Sequence, residues 1–450
     1  FKIKKISRLL TAGILTISMG LLFLWLIPAF STLRQSPNLA LYNEVWQTVN
    51  NNFYDPNFNG VDWKAMRTKY EQPAEQAKSI GELSVVINQM LAELKTSHTH
   101  FYNKSEPAYY QLLGIFKSDY LWKQLRKFFP DGNLVYTDIG AFTKEINGQT
   151  FISAILDGSP AEKAGLQTGD RLLTVDGKPF KPIQSFIDKA DKEVKLSIQR
   201  TPDLNQNQTI TVVPKKLDPT KVFLEAMQAS TEIINRDNQN IGYIHIWSYA
   251  GDQYQKQLVR EITYGKLRNA DALILDLRDG WGGAIPSYLN IFTGKVPRLT
   301  QILRDGRKSN LDYQWKKPVV MLVNQGSRSG KEILAYGFKR YKIGTVIGTK
   351  TPGAVVGGSP FLLKDGNLLY LAVANVFVDG ERLEGKGVIP DIEVPFTLEY
   401  AQGADPQKEK AIAVLMEALK KNSEFRSQES ESISFGGSNT LNPVPATTNK

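Results

Sequence analysis

Cysteine is absent from the 450-residue chain, and histidine occurs only three times, as His98, His100 and His245. Without cysteine there is no disulfide framework, no thiolate nucleophile and no cysteine-ligated metal site. The three histidines form no cluster with acidic residues at the spacing of metal ligands. We therefore expect neither a metal nor another cofactor, so any catalysis must use hydroxyl, imidazole, amine or carboxylate groups.

The chain also lacks a basic stripe, although its formal net charge is +10, from 55 Lys and Arg residues against 45 Asp and Glu residues. The basic residues are dispersed, apart from those in residues 1–8, and they do not alternate with aromatic residues as in proteins that follow a nucleic acid backbone. We expect no nucleic acid partner. The positive charge indicates at most an attraction to an anionic membrane surface.

One long apolar run stands near the N-terminus, because residues 9–30 contain no charged residue and follow the basic stub of residues 1–8. A helix of this length, at about 1.5 Å per residue, can span a bilayer. The basic residues before the run predict a cytoplasmic N-terminus and an extracytoplasmic remainder, periplasmic or lumenal. The alternative is a signal peptide cleaved near Ala29-Phe30-Ser31, which would leave a secreted protein.

A strand–turn–helix unit is the most informative stretch of the chain. Val319 to Val323 is an unbroken apolar run, which is typical of a strand buried on both faces of a sheet. Turn residues follow, and apolar residues at helical spacing predict a helix from about Ser329. A serine at this junction would expose its hydroxyl beside the first amides of the helix, which can hold an oxyanion. The alternative is that Ser327 or Ser329 only caps the helix.

The first part of the chain, residues 39–131, has the apolar spacing of helices. Its second helix is predicted to end just before Ser97, His98 and His100. A histidine on a loop after a helix is well placed for catalysis, since functional groups concentrate on loops that a rigid scaffold holds. A surface histidine without a role is the alternative.

Residues 133–216 change in style to short strands with frequent turns. The motif GSPAxxAGLxxGDxLLxVDG, which begins at Gly158, resembles a PDZ domain. Such a domain binds an extended C-terminal peptide at a sheet edge, and loop amides hold the terminal carboxylate. The resemblance places that loop at residues 139–142, with Gly140, Ala141 and Phe142 as peptide-binding residues. The alternative is a domain that binds no peptide and acts as a spacer.

After residue 217 the pattern becomes α/β, and it predicts a core domain over residues 218–400. Buried strands are predicted at 241–246, 272–277, 319–323 and 345–348. The second of these ends in the motif LDLR and is followed by Gly282-Gly283, and the motif EGKGVIPD begins at Glu384. A C-terminal helix is predicted over residues 401–422, and the polar tail 423–450 is predicted to be disordered.

Taken together, the order of these segments and motifs resembles the C-terminal processing (tail-specific) serine peptidases over about residues 40 to 420. The resemblance implies a ClpP/crotonase-like α/β peptidase core with an N-terminal helical segment and an inserted β-rich PDZ domain. It further implies that Ser329 is the nucleophile. The oxyanion hole would then consist of the Gly330 amide and an amide of Gly282 or Gly283.

The general base departs from the common pattern of that family. Ser–Lys members carry G-x-x-T-x-G-K, whereas here the stretch from Gly348 ends in Ala354, and a methyl group cannot accept a proton. In the branch that resembles tricorn core proteases and nisin-degrading peptidases, a histidine at the site of His98 meets the serine. By the same resemblance Ser97 and Glu384 complete a relay that orients the imidazole. Lys350 is the alternative base.

The sequence therefore predicts a membrane-anchored, extracytoplasmic serine endopeptidase that acts on polypeptides through an acyl-enzyme, with a PDZ domain that recognises substrate C-termini. The alternative is an inactive pseudoprotease that binds C-terminal peptides as a scaffold, and the missing lysine is its main support. Three charged residues near the serine receive structural predictions only: Arg328 as a turn residue, Lys331 as an exposed helix residue and Glu332 as a charge at the edge of the core.

Overall fold

The structure is a computed structural model, and it describes residues 36–435 except 117, 204, 295–298 and 312. The side chains of residues 309–311 and 425–435 are also outside the description. The predicted anchor, residues 9–30, and residues 436–450 of the predicted tail lie outside the described residues. Within the described part of the chain, no helix is both long enough and apolar enough to cross a membrane.

The N-terminal segment is mainly helical. Its elements are α1 (Pro37–Asn52), α2 (Trp63–Gln76), α3 (Ile80–Ala92), β1 (His100–Tyr102), α4 (Pro107–Ile115) and α5 (Asp119–Leu125). The side chains of Ser36, Asp62 and Ser79 accept hydrogen bonds from first-turn amides and so fix where the first three helices begin. The apolar faces of these helices pack against the hairpin 356–375. Strand β1 pairs with the same hairpin and thereby holds the loop 95–99 against the core.

A β-rich domain follows, which we call the PDZ-like domain. It consists of β2 (Tyr136–Asp138), β3 (Ala141–Ile146), β4 (Gln149–Ile155), α6 (Pro160–Lys163), β5 (Arg171–Val175), β6 (Lys178–Pro179), β7 (Val194–Gln199), β8 (Asn207–Val212) and β9 (Lys215–Leu217). Its antiparallel sheet has the order β3-β4-β5-β7-β8, with β6 beside β5. Strand β3 is therefore an edge strand. Strands β2 and β9 pair where the chain enters and leaves the domain.

The α/β core contains α7 (Val222–Ser230), β10 (Glu232–Arg236), β11 (Gln239–His245), α8 (Asp252–Thr263), β12 (Ala272–Asp276), α9 (Asn290–Thr293), β13 (Leu299–Ile302), β14 (Lys308–Leu311), β15 (Val319–Val323), α10 (Gly330–Arg340), β16 (Thr345–Gly348), β17 (Val356–Leu362), β18 (Leu368–Asn375), β19 (Ile392–Glu393) and α11 (Pro406–Phe435). The central sheet has the order β10-β11-β12-β15-β16-β19 and is parallel except for β10. Because β12 and β15 are parallel neighbours, the loops after them meet at one edge of the sheet.

The C-terminal helix α11 differs from the sequence prediction. It begins at Pro406 and continues to Phe435, beyond the predicted end at residue 422. Its first turns are anchored because Ala411, Ile412 and Leu415 are buried against the central sheet. A helix that starts from packed turns needs no new nucleation to continue into a polar segment, and glycine does not interrupt the sequence before residue 436.

The PDZ-like domain is fixed to the core by contacts at two places. The amide of Tyr400 donates to the carbonyl of Gly169 at 3.1 Å, and a Cβ on Gly169 would lie 2.8 Å from that of Ala401. On the other side, the Trp247 indole donates to Asp157 at 2.8 Å and stacks on Phe142 with 5.7 Å between ring centroids. These contacts fix the position of the PDZ-like domain on the core and thereby the shape of the cleft between them.

Candidate active site

Ser329 stands where β15 passes through a turn into α10. Its backbone has φ 57° and ψ −126°, a conformation that residues other than glycine rarely adopt. The Ser329 amide donates to the carbonyl of Ala354 at 3.0 Å, which helps to hold this conformation. A strained serine between a strand and a helix is the arrangement that exposes a nucleophilic hydroxyl in other hydrolases. Ser327 is instead fully buried, and its hydroxyl donates to the carbonyl of Leu277 at 2.8 Å.

Glu332 lies one helical turn after Ser329 and is fully buried. Its carboxylate accepts hydrogen bonds from the Thr351 hydroxyl at 2.6 Å and from the amides of Gly353 and Ala354, both at 2.7 Å. Burial raises the pKa of this carboxyl group, and these hydrogen bonds oppose the rise. Glu332 thus holds residues 351–354 beside the nucleophile. Position 354, where Ser–Lys members carry lysine, does contact Ser329, but it supplies only a methyl group.

The segment Gly282-Gly283-Ala284, which we call the oxyanion turn, lies directly against Ser329 and Gly330. A Cβ at position 282 would stand 2.6 Å from the Ser329 Cβ, and a Cβ at position 330 would meet the Ala284 carbonyl oxygen at 2.5 Å. Gly283 has φ 102°, which a side chain would strain. The amides of Gly283 and Gly330 have no hydrogen-bond acceptor in the described part of the chain. They are free to hold an oxyanion.

Ser97, His98 and Glu384 form a continuous hydrogen-bonded relay. The Ser97 hydroxyl donates to Glu384 Oε2 at 2.9 Å and lies 3.0 Å from His98 Nδ1. Because the hydroxyl proton of Ser97 is directed to the carboxylate, the hydroxyl oxygen accepts a hydrogen bond from His98 Nδ1–H. This arrangement leaves His98 Nε2 unprotonated, which is the form that a general base needs. The Ser97 amide donates to Glu384 Oε1 at 2.8 Å and fixes the carboxylate further.

His98 is itself held in an unusual position. It has φ 54°, and its ring lies beside Tyr370, with 5.4 Å between the ring centroids. Burial, and to a smaller extent the charge of Arg328, lowers the pKa of His98 to about 4. The imidazole is therefore neutral at pH 7 and available to accept a proton.

Two consecutive residues connect the relay with Ser329. The carbonyl of Ala354 accepts from the Ser329 amide at 3.0 Å, and the amide of Val355 donates to Glu384 Oε2 at 2.6 Å. Arg328, which precedes Ser329, is also close enough to His98 to affect its pKa. Ser329, the relay and the oxyanion turn thus lie in one region of the structure, although no hydrogen bond joins His98 to Ser329 among the described residues.

The remaining histidines and Lys350 take part in none of the hydrogen bonds of this site. His100 is in β1, where its Nε2 lies 3.3 Å from Asn88 Nδ2, and burial lowers its pKa to about 4. His245 Nε2 is 2.9 Å from the carbonyl of Arg278, so it is a hydrogen-bonded core histidine. Lys350 is exposed.

Lys331 is the residue that the sequence interpretation placed wrongly, because its side chain is fully buried. Its ammonium group donates to the carbonyl of Asp279 at 2.6 Å and to that of Trp247 at 3.4 Å. Burial lowers its pKa to about 7. Lys331 thereby ties the start of α10 to the segment just before the oxyanion turn. Helical spacing was the available signal, since Leu334, Ala335 and Phe338 follow on the same buried face.

The predicted carboxylate loop of the PDZ-like domain, residues 139–142, is occupied by a carboxylate of the chain itself. Asp138 is buried, and its Oδ1 accepts a hydrogen bond from the Gly140 amide at 2.7 Å. Burial raises the pKa of Asp138 to about 6, and hydrogen bonds from the amides of Gly140, Ile139 and Ala141 oppose that rise. Ala141 pairs with β4, and Phe142 stacks on Trp247.

Comparison with known families agrees with this geometry. Residues 240–394 match peptidase family S41, residues 39–92 match the tricorn protease C1 domain, and residues 151–200 match a PDZ domain. The chain is therefore a serine-type peptidase with a PDZ domain, and its core is similar to peptidase family S41 in sequence and fold class.

Individual relatives are similar over most of this chain. The carboxyl-terminal-processing protease of Synechocystis sp. is 27% identical over 410 residues, which cover 88% of this chain and 90% of that protein. The tricorn protease of Thermoplasma volcanium is 27% identical over 408 residues, which cover 85% of this chain but 36% of that protein. Among solved structures, a photosystem II D1 C-terminal processing protease has a TM-score of 0.47 and 23% identity, with 82% of this chain and 98% of that chain covered.

Proposed function

We propose that this peptidase is an endopeptidase that cleaves polypeptides through an acyl-enzyme, with Ser329 as nucleophile and His98 as general base. The observation that carries the proposal is the Glu384–Ser97–His98 relay, which the consecutive residues 354 and 355 connect with the strained Ser329. The same contacts argue against an inactive scaffold, because a pseudoprotease has no need of an oriented neutral imidazole.

In the proposed reaction, His98 Nε2 removes the hydroxyl proton while Ser329 Oγ attacks the carbonyl carbon of the substrate. The negative charge that develops on the carbonyl oxygen would be held by the Gly330 amide and an amide of Gly282 or Gly283. The imidazolium then protonates the leaving amine, and a water molecule hydrolyses the acyl-enzyme by the same steps. Ser97 and Glu384 keep the imidazole in the required tautomer throughout.

For the PDZ-like domain we propose the recognition of substrate C-termini, as the names of the similar processing proteases suggest. Edge strand β3 can accept an extended peptide as an additional strand. Its first residues, Ala141 to Lys144, line the cleft that also contains Trp281 and Arg328 next to the active site. A tail bound along β3 would thus lie close to the catalytic residues. Its terminal carboxylate would compete with Asp138 for the loop amides.

The location that we propose is extracytoplasmic and membrane-anchored, and it rests on the sequence of residues 1–30. The uncharged run 9–30 follows a basic stub and would place the peptidase core outside the cytoplasm. Fractionation of cells that express the full chain, with and without residues 9–30, would test it. Recovery of both forms in the same soluble fraction would contradict an anchor.

A fluorophosphonate probe tests the catalytic assignment directly. We expect the wild-type protein to be labelled on Ser329, and Ser329→Ala to abolish both labelling and peptide hydrolysis without a change in thermal melting. Ser327→Ala is the matched control, since its hydroxyl is buried and already hydrogen-bonded. Undiminished labelling of Ser329→Ala would rule out the assignment.

A further inference from the structure

The surroundings of Arg328 indicate that this residue selects among substrates. It lines a cavity of about 760 Å³ between the PDZ-like domain and the core, together with Trp281, Phe142 and Lys144. Arg328 directly precedes Ser329, and Trp281 directly precedes the oxyanion turn. Both residues therefore stand at the boundary between the cavity and the reacting groups.

The guanidinium group of Arg328 rests on a fixed platform. Its Cζ lies 5.2 Å from the centroid of the Trp281 ring, a cation–π distance. The Trp281 indole donates to Gln111 at 3.1 Å, and the Gln111 amide donates to the Tyr136 hydroxyl at 3.0 Å. All three supporting side chains are buried. The planar fork of the arginine is thus oriented before any ligand arrives, which favours binding of a carboxylate through two hydrogen bonds.

Arg328 has no carboxylate partner in the described part of the chain, although four carboxylates line the same cavity. Each of the four is already engaged elsewhere: Asp138 with the Gly140 amide, Asp157 with Trp247, Asp279 with Asn324 and Asp405 with Arg278. The charge of Arg328 acts on the pKa of two bases, His98 and Lys331, and of two phenols, Tyr102 and Tyr370. A half-buried guanidinium group without a direct ion-pair partner is available to the carboxylate of a ligand.

We propose that Arg328 binds a carboxylate of the substrate close to the cleaved bond, and so gives the peptidase a preference for acidic segments or short C-terminal tails. The proposal rests on the proposed endopeptidase function and names its substrate chemistry. A carboxylate can come from an Asp or Glu side chain or from the free C-terminus, and both have the same planar geometry.

Binding of that carboxylate also bears on catalysis. The positive charge of Arg328 opposes formation of the His98 imidazolium, which the proposed mechanism requires in both half-reactions. A bound carboxylate neutralises Arg328 and removes this opposition. An acidic substrate should therefore have a higher kcat as well as a lower KM than its neutral counterpart. A residue with a purely structural role would not produce this difference between two substrates.

The test uses short peptides that carry an uncharged fluorophore and no other carboxylate, in matched pairs: an internal Glu against Gln, and a free C-terminal carboxyl against an amide. Binding is measured by anisotropy on Ser329→Ala, alone and combined with Arg328→Gln or Arg328→Lys. We expect the carboxylate member of one pair to bind about tenfold more tightly, as is typical of charge-assisted hydrogen bonds. Arg328→Gln should abolish that ratio and Arg328→Lys should retain part of it. The pair that responds identifies the source of the carboxylate.

Turnover with Ser329 intact gives the second readout, as the ratio of kcat/KM within each peptide pair. Arg340→Gln is the matched control. Arg340 carries the same charge and is exposed at the C-terminal end of α10, whereas Arg328 precedes the N-terminal end of that helix. Equal ratios in wild type and Arg328→Gln, or no carboxylate preference in wild type, would overturn the proposal. If no variant cleaves any peptide, the proposed function fails, while the binding ratios still decide the role of Arg328.

Discussion

Two regions of this molecule present backbone amides to an anion, and they differ in whether the chain supplies the anion itself. In the PDZ-like domain, the amides of residues 139–141 face the carboxylate of Asp138. In the active site, the amides of Gly283 and Gly330 face no acceptor of the described chain. The first array is closed by its own sequence, and the second is left open for a substrate.

The position of nearby carboxylates accounts for this difference. Glu332 and Glu384 both lie close to Ser329, but each is directed to other amides: Glu332 to Gly353 and Ala354, and Glu384 to Ser97 and Val355. Asp138 instead adjoins the loop that it fills. An unsatisfied buried amide costs roughly 1–3 kcal/mol. Within the open array this cost applies to Gly330, which is buried, whereas Gly283 is exposed and its amide can be hydrated.

The largest effect should come from removing the base that serves the open array. We expect His98→Ala to lower kcat by about 10²–10⁴-fold, because Ser329 loses its proton acceptor. Lys350→Ala and His100→Ala are the controls and should change turnover little, since neither side chain belongs to the relay. Turnover on one peptide, at equal folded fraction, provides the comparison. A dead Lys350→Ala with an active His98→Ala would favour a lysine base instead.

Blocking the open array should have the next largest effect. In Gly282→Ala the new methyl group would stand 2.6 Å from the Ser329 Cβ and the Arg328 carbonyl oxygen, so the oxyanion turn must move. Loss of one oxyanion donor typically lowers kcat by about 10²–10³-fold. Gly294→Ala is the control for a glycine replacement without a clash, because no atom lies within 4 Å of its would-be Cβ, although its φ is positive and that of Gly282 is not. Equal kcat for the two variants would show that the turn does not hold the oxyanion.

An intermediate effect is expected from the orienting half of the relay. Ser97→Ala removes the group that fixes the Nδ1 proton but leaves Nε2 in place, so kcat should fall less than in His98→Ala. Glu384→Gln should behave similarly, since its amide can still contact Ser97. Steady-state kinetics on the same peptide would rank the three variants. A larger loss in Ser97→Ala than in His98→Ala would contradict the relay.

Removing the Asp138 carboxylate from the amides of residues 139–141 should have a smaller effect, and it should strengthen a function rather than weaken it. Asp138→Ala releases the Gly140 amide, so the PDZ-like domain should bind peptides with a free C-terminal carboxyl several-fold more tightly, with little change for their amides. Calorimetry on the Ser329→Ala background measures both. Asp138→Asn is the matched control, because its side chain keeps an acceptor near Gly140. Unchanged discrimination between acid and amide in Asp138→Ala would mean that this loop does not receive the terminus.

The parts of the site that the sequence predicted share one property: they depend on short local patterns. The strand–turn–helix around Ser329, the glycine pair at 282–283 and the Ser97-His98 dipeptide each fit within a few residues. Physical reasoning from the residues alone could not connect them, since Ser97 and Glu384 are 287 positions apart. The family resemblance supplied that connection.

What the sequence did not reveal depends on contacts between distant segments. Arg328 reads as an ordinary turn residue until Trp281, Gln111 and Tyr136 are seen to support it. The charge of Lys331 predicts an exposed side chain, although its spacing to Leu334, Ala335 and Phe338 places it on the buried face of α10. The structure extends α11 beyond residue 422 for a related reason, because packed turns precede its polar part and composition alone does not reveal them.

The smallest expected effect concerns the pH dependence of the open site. An exposed histidine would give an acidic limb in kcat/KM near pH 6.5, whereas the pKa of His98 is lowered to about 4. Because the folded pKa lies below the unfolded value, the protein favours neutral His98, and activity should be complete at pH 6 and fall only as pH approaches about 4. Burial is the larger cause and Arg328 the smaller, so Arg328→Gln should move the limb upward by less than about one unit. Tyr370 faces the ring but stays protonated over this range. Measuring kcat/KM from pH 4 to 8, at verified folded fraction, gives the acidic limb of the wild type and that of Arg328→Gln. A limb near pH 6.5 in both proteins would show that the free enzyme exposes the His98 imidazole to water.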